Sequence, residues 1–201
     1  MAYRADMFID VAEAAARFDL RRILRSGVLD DIERIRLLEP GSRVEGDLDL
    51  DASPVLAAGD VHVDGNVVGA EDGSFLVVLG SCRASNVLVG GPEVYIQGDL
   101  SVRNAVMTDY NHGRLEVGGA LAAAIVLAEH LTRVRGPVSG ITVDFGGLRV
   151  ETDGFEPTVS RDRATHGAKD VFVPEVLNDG GYVEGRLLRN RLRDGLPVLR
   201  D

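Results

Sequence analysis

The chain has 201 residues, with 22 Lys or Arg against 32 Asp or Glu and a formal net charge of −10. That balance argues against nucleic acid and anionic membranes as partners, because both reward clustered positive charge. At 45% hydrophobic the chain holds enough apolar residues for a sizeable core, but its 24 glycines, 5% aromatics and absence of tryptophan leave small and β-branched side chains to fill it; thin, repeated layers are the expected packing. Cys82 is the single cysteine, so no internal disulfide forms. No run approaches the ~18 apolar residues of a membrane span. Asp6, Asp10 and Glu13 interrupt the start where a signal peptide would be continuous. An intracellular, cytoplasmic protein is the expectation.

Residues 1–40 read as a helical segment. Phe8, Val11, Ala15 and Phe18 recur at three and four residues, the spacing of one helical face. Ser26-Gly27 breaks the pattern; Val28, Ile32 and Ile35 resume it until Glu39-Pro40-Gly41 ends it. Basic and acidic residues are nearly balanced here, which favours packing onto the rest of the protein over a membrane surface.

From Gly41 the period changes to two. An apolar-x-Gly-x-apolar element recurs as Val44 to Leu48, Val63 to Val67, Val78 to Cys82, Ile96 to Leu100 and Val117 to Leu121, with a weaker copy at Val138-Ser139-Gly140. Short alternating strands follow at Val87 and Val89, Ala105 and Met107, and Ile125 and Leu127. A unit this small buries its apolar residues only by stacking on its neighbours. The fold class expected is therefore mainly β: a single parallel β-solenoid, right-handed, of six coils over residues 41–147. Val44, Val63, Val78, Ile96 and Val117 are expected to form one inward column, and Leu48, Val67, Cys82, Leu100 and Leu121 a second. An antiparallel sandwich with glycine-rich hairpins is the alternative.

Residues 148–201 form an irregular segment and a terminal helix. Asp153-Gly154, Glu156-Pro157 and His166-Gly167 punctuate an irregular crossing or a last distorted coil. Val183 to Asp194 suits a helix with Leu187, Leu188 and Leu192 on its apolar side. The helices at the two termini are expected to cover the open coil ends.

The glycine units between Val44 and Val143 resemble the bactofilin-like, polymer-forming cytoskeletal proteins of bacteria. Tyr110-Asn111-His112-Gly113, Glu129-His130 and Val173-Pro174-Glu175-Val176-Leu177 look like a group of bacterial solenoid proteins often given the same label. The resemblance implies a parallel β-helix core, self-association and no catalytic residues. Bactofilins generally carry flexible tails, whereas this sequence places helical segments at both ends.

Between residues 45 and 72 lie Glu45, Asp47, Asp49, Asp51, Asp60, Asp64, Glu71 and Asp72, with no Lys or Arg. Stacked at ~5 Å such charges repel, and an acidic face suits a basic protein partner. The plainer reading is that they solubilise a surface and blunt sheet edges. Calcium fits poorly, since Asp47-x-Asp49-x-Asp51 runs into Ala52-Ser53-Pro54 rather than an EF-hand glycine. The second candidate is Asp109-Tyr110-Asn111-His112 with Glu129-His130 one repeat later. Two histidines and two carboxylates suit zinc or acid-base work; a turn held by Asn and Asp side chains is the commoner outcome. Tyr110, Asn111 and His112 also offer a second contact surface.

No hexapeptide rhythm, phosphate-binding glycine loop, nucleophile elbow or metal motif is present, so no enzyme, metal or cofactor is expected. Two readings remain: a non-catalytic protein that engages a basic partner, as an immunity or inhibitor protein does, and a bactofilin-like polymer-forming scaffold.

Overall fold

A computed structural model describes residues 7–25, 27–109, 112–144, 147–152, 154–160 and 164–200. Period-two alternation produces three strands per turn of a β-solenoid, and these stack in parallel into three faces. Face 1 consists of Arg34–Leu38, Val55–Ala57, Phe75–Val78, Glu93–Ile96, Arg114–Val117, Thr132–Val134 and Leu148–Val150. Face 2 consists of Ser42–Val44, Val61–Val63, Cys82–Ala84, Leu100–Val102 and the first parts of Leu121–Ala128 and Val138–Asp144. Face 3 takes Leu48–Asp49, Asn66–Gly69, Asn86–Val89, Ala105–Thr108, the later parts of those two long strands, and Val159–Ser160. All of these pairings are parallel, so the solenoid is the observed fold and the sandwich is not.

The interior is an aliphatic column from Leu38 to Val134 in which Leu48, Val55, Val67, Val78, Ile96, Leu121 and Val126 are fully buried. Each such side chain stabilises the fold by roughly 1.5–3 kcal/mol relative to exposure. Cys82 is inward as expected and buried among them; burial pushes its thiol up to about 12, so it packs as a small apolar group.

The two expected columns are spliced. Val44 pairs with Val63 on face 2, whereas Val78, Ile96 and Val117 stack on face 1. Likewise Leu48 and Val67 belong to face 3, and Cys82, Leu100 and Leu121 to face 2. The glycine element occupies two different corners. Gly65 bonds back to Gly46 at the corner between faces 2 and 3, while Gly98 bonds to Gly80 and Gly119 to Gly98 at the corner between faces 1 and 2. Gly136, not Gly140, continues that second series by donating to Gly119. Gly140 instead lies where coil six is one residue short, at φ +116 and opposite a bulge at Ala123-Ala124, with no room for a Cβ against the Ala123 carbonyl.

The termini differ from expectation in a related way. Val11–Phe18 (α1) and Leu20–Ile23 (α2) are helical, with Asp10 capping α1 through bonds from the Ala12 and Glu13 amides. Arg34–Leu38, expected as helix, is the first solenoid strand, and Met7–Asp10 pairs antiparallel on its outer edge. Ile35 was one of three residues supporting a helical period there, a spacing that short segments share with strands. At the other end Leu148–Val150 and Val159–Ser160 supply a last coil, followed by Ala164–Val171 (α3), the 3-10 turn Pro174–Val176, and Gly185–Arg193 (α4).

The terminal helices lie along the sides of the solenoid rather than across its ends. Ile9, Ala14, Leu20, Leu24 and Leu29 pack on Ile35, Leu37, Leu56, Phe75 and Val77, the outer side of face 1. Ala168, Phe172, Val176, Leu188, Leu192 and Val198 pack on Leu88, Met107, Ile125 and Leu127, the outer side of face 3. Strands in these faces are therefore apolar on both surfaces, as in Phe75–Val78 and Ala105–Thr108. None of the described residues covers face 2; its strands Val61–Val63, Cys82–Ala84 and Leu100–Val102 keep the inward, outward, inward pattern, and Arg43, His62, Arg83 and Ser101 are exposed.

Candidate functional site

The eight carboxylates between residues 45 and 72 do not share one face. Asp60 lies at the corner between faces 1 and 2, where its Oδ1 accepts from the Ser81 amide at 2.7 Å; Ser81 Oγ then accepts from Asp99 N at 3.2 Å, and Asp99 Oδ1 from Ala120 N at 2.8 Å. This column satisfies backbone donors that the turns leave unpaired. The other seven surround the first two coils of face 3. Glu45, Asp47, Asp49 and Asp51 are exposed along the first coil, and Asp64, Glu71 and Asp72 follow on the second.

Several of these seven are held by the scaffold. Asp47 Oδ1 accepts from Asn66 N at 2.7 Å, Asp49 Oδ1 from Asp51 N at 2.9 Å, and Asp51 from the Ala70 and Glu71 amides at 2.9 and 3.0 Å. Asp64 receives Arg43 through Nε and Nη2, both at 2.9 Å, with His62 Nε2 at 3.7 Å. The Arg43 bond holds the Asp64 carboxyl below its ordinary value. Arg43 lies just outside the acidic stretch in sequence, on the neighbouring strand, so reading the stretch alone conceals this pair. Glu45, Glu71 and Asp72 make none of these bonds, and Glu45 lies within the field of Arg43.

The second candidate is dispersed. Asp109 is gripped by Arg189 of α4, through Nε at 3.1 Å and through Nη2, while Arg189 Nη1 donates to the Leu88 carbonyl at 3.2 Å. His112 is exposed, and its carbonyl accepts from Arg25 Nη2 at 2.6 Å. His130 is buried, and its Nδ1 lies 3.2 Å from the Leu131 carbonyl. Tyr110 and Asn111 lie outside the described residues. Among the described residues no three His, Cys, Asp or Glu side chains are grouped to hold a metal ion. The 340 Å³ groove beside the bulge, lined by Asn104, Ala124, Ile125, Leu192 and Gly195 to Leu199, presents no titratable side chain.

One polar centre had no signal in the sequence. Glu93, 2% exposed on face 1, accepts from Arg25 N and Arg114 Nη2, both at 3.1 Å, and pairs with Arg25 Nε; Arg114 also donates to the Ile23 carbonyl at 2.6 Å. The ladder continues outward through Glu116, Arg133 and Glu151, with Arg133 3.0 Å from Glu151. It marks where the N-terminal layer ends and the outer side of face 1 becomes polar. Arg25 lies 68 residues from Glu93, and Ile23 lies 91 residues from Arg114, distances that no spacing rule spans.

No family model, curated protein or solved structure matches the chain. No helix among the described residues is long and apolar enough to cross a membrane.

Proposed function

We propose that the chain is a non-catalytic binding protein of the immunity or inhibitor type, which engages a basic protein partner through the acidic rim at the N-terminal end of face 3. The observation that supports this most is the exposed row Glu45, Asp47, Asp49 and Asp51 on one coil, with Glu71 and Asp72 on the next. Because the backbone amides of residues 51, 66, 70 and 71 fix three of these carboxylates, their charges are presented with little ordering cost on binding. Such a rim speeds encounter with a cationic surface and favours it over acidic competitors. The test is capture from cell extract across a salt series, using the parent and a Glu45→Gln, Glu71→Gln, Asp72→Asn variant. These three changes leave the turn-holding carboxylates intact. A basic protein that binds the parent, elutes as salt rises and is lost from the variant supports the reading; equal retention by both proteins contradicts it.

A second reading, a bactofilin-like scaffold, is favoured by Ser42–Val44 and Leu48–Asp49 at one end and Leu148–Val150 at the other, edge strands with no further strand partner among the described residues. Open parallel edges are templates for another chain. The carboxylates bordering the first of them oppose that use, which is why we rank filament formation second. Negative-stain images of concentrated protein separate the readings: discrete particles for the first, fibres for the second.

A further inference from the structure

The corner after the fourth face-3 strand is where both terminal layers are tied to the solenoid. Arg189 of α4 clasps Asp109, and Arg25, which follows α2, clasps the carbonyl of His112. His130 lies beneath this corner at 3% exposure. The Leu131 carbonyl fixes the proton of the neutral ring on Nδ1, leaving Nε2 as a bare acceptor with no partner among the described residues. Gly113 closes over that nitrogen: a Cβ placed there would come within 2.9 Å of Nε2 and would collide with the Gly90 carbonyl. With Nε2 sealed in this way, a proton reaches it only when the corner parts.

We propose that His130 is a pH-sensitive latch whose protonation loosens the Arg189–Asp109 and Arg25–His112 clasps, releasing α4 and the segment 20–25 from the solenoid. The charges around the ring set the direction. Asp109 is the anion that attracts a proton on His130, and it is already committed to Arg189; Arg25 is a cation that such a proton repels. Arg25 is itself anchored by the buried Glu93, which also binds Arg114, so it does not simply move away. Glu129 adjoins His130 on the same turn, close to Gly185 at the start of α4, and His112 faces solvent above it. Burial holds the closed imidazole below its ordinary value. Opening therefore takes up a proton. It is favoured as pH falls below about 6.5, and the gain stops once pH passes below the lowered value of the closed state.

Hydrogen exchange of the protein at pH 7.5 and 5.5, corrected for intrinsic rates, tests this. The latch predicts that peptides covering residues 20–25 and 185–193 lose protection on acidification, by about tenfold at most for a group of ordinary value near 6.5. A His130→Gln variant should show no such pH dependence. Should that variant not fold, the imidazole titrations of the parent decide by NMR. The latch then requires His130 to titrate below the ordinary imidazole value, in step with shifts in the α4 amides. Protection that does not change with pH in the parent overturns the proposal. So does an equal loss in His130→Gln, or His130 titration without any response in α4.

Discussion

Face 2 and face 1 are built from the same coils yet obey different sequence rules. On face 2 the strands Val61–Val63, Cys82–Ala84 and Leu100–Val102 each bury their first and third side chains and expose the second. On face 1 the strand Phe75–Val78 is buried throughout, because the terminal layer takes one side and the solenoid interior the other. The comparison shows that burial in this protein is set by what lies across the outer surface, not by position in the coil.

The sharpest way to break the contrast is to place a charge inside it. Ile96 stacks between Val78 and Val117 and is fully buried, so Ile96→Asp is expected to cost several kcal/mol and to abolish a cooperative melt followed by circular dichroism. Next comes the covered outer side. Phe75→Ala removes a fully buried ring from the N-terminal layer, an expected loss of about 3–5 kcal/mol. The same melts should show a midpoint lowered by on the order of 10 °C. At the corners Asp51→Ala frees two backbone donors and should cost about 1 kcal/mol in denaturant unfolding, discounted for its exposure. On face 2 Arg83→Ala should change stability by less than about 0.5 kcal/mol in that assay. A loss from Arg83→Ala as large as that from Phe75→Ala would erase the distinction between the faces.

What the sequence made legible follows from the same comparison. Period-two alternation and the recurring glycine element reveal a stacked β architecture, because both arise within one coil. They do not reveal which corner a glycine occupies. The gap of 15 residues between Gly65 and Gly80 joins two different corners and is shorter than a coil: Val55 pairs with Leu76, 21 residues on, and Leu76 with Val94, 18 residues on. Units with apolar residues on both sides, such as Phe75–Val78, also lose the alternation that would have fixed their register. The acidic stretch was legible as composition but not as geometry. Sequence order places Asp60 between Asp51 and Asp64, whereas the fold puts it at a different corner, and Arg43 neutralises Asp64 from outside the stretch. Contacts such as Arg189 with Asp109 and Arg25 with Glu93 join the terminal layers to distant coils and left no periodic trace.

The chain's terminal layers cover part of the outer side of faces 1 and 3, and none of the described residues covers face 2. Cysteine labelling of the folded protein tests it most directly, since native Cys82 is buried with its thiol near 12 and should stay silent. Single variants Val77→Cys, Met107→Cys and Arg83→Cys place a thiol on the outer side of faces 1, 3 and 2 respectively. Arg83→Cys should react with a thiol reagent nearly as fast as the unfolded chain, while Val77→Cys and Met107→Cys react at least about a hundredfold more slowly, limited by opening of their layers. Equal labelling of all three in the folded protein would contradict it.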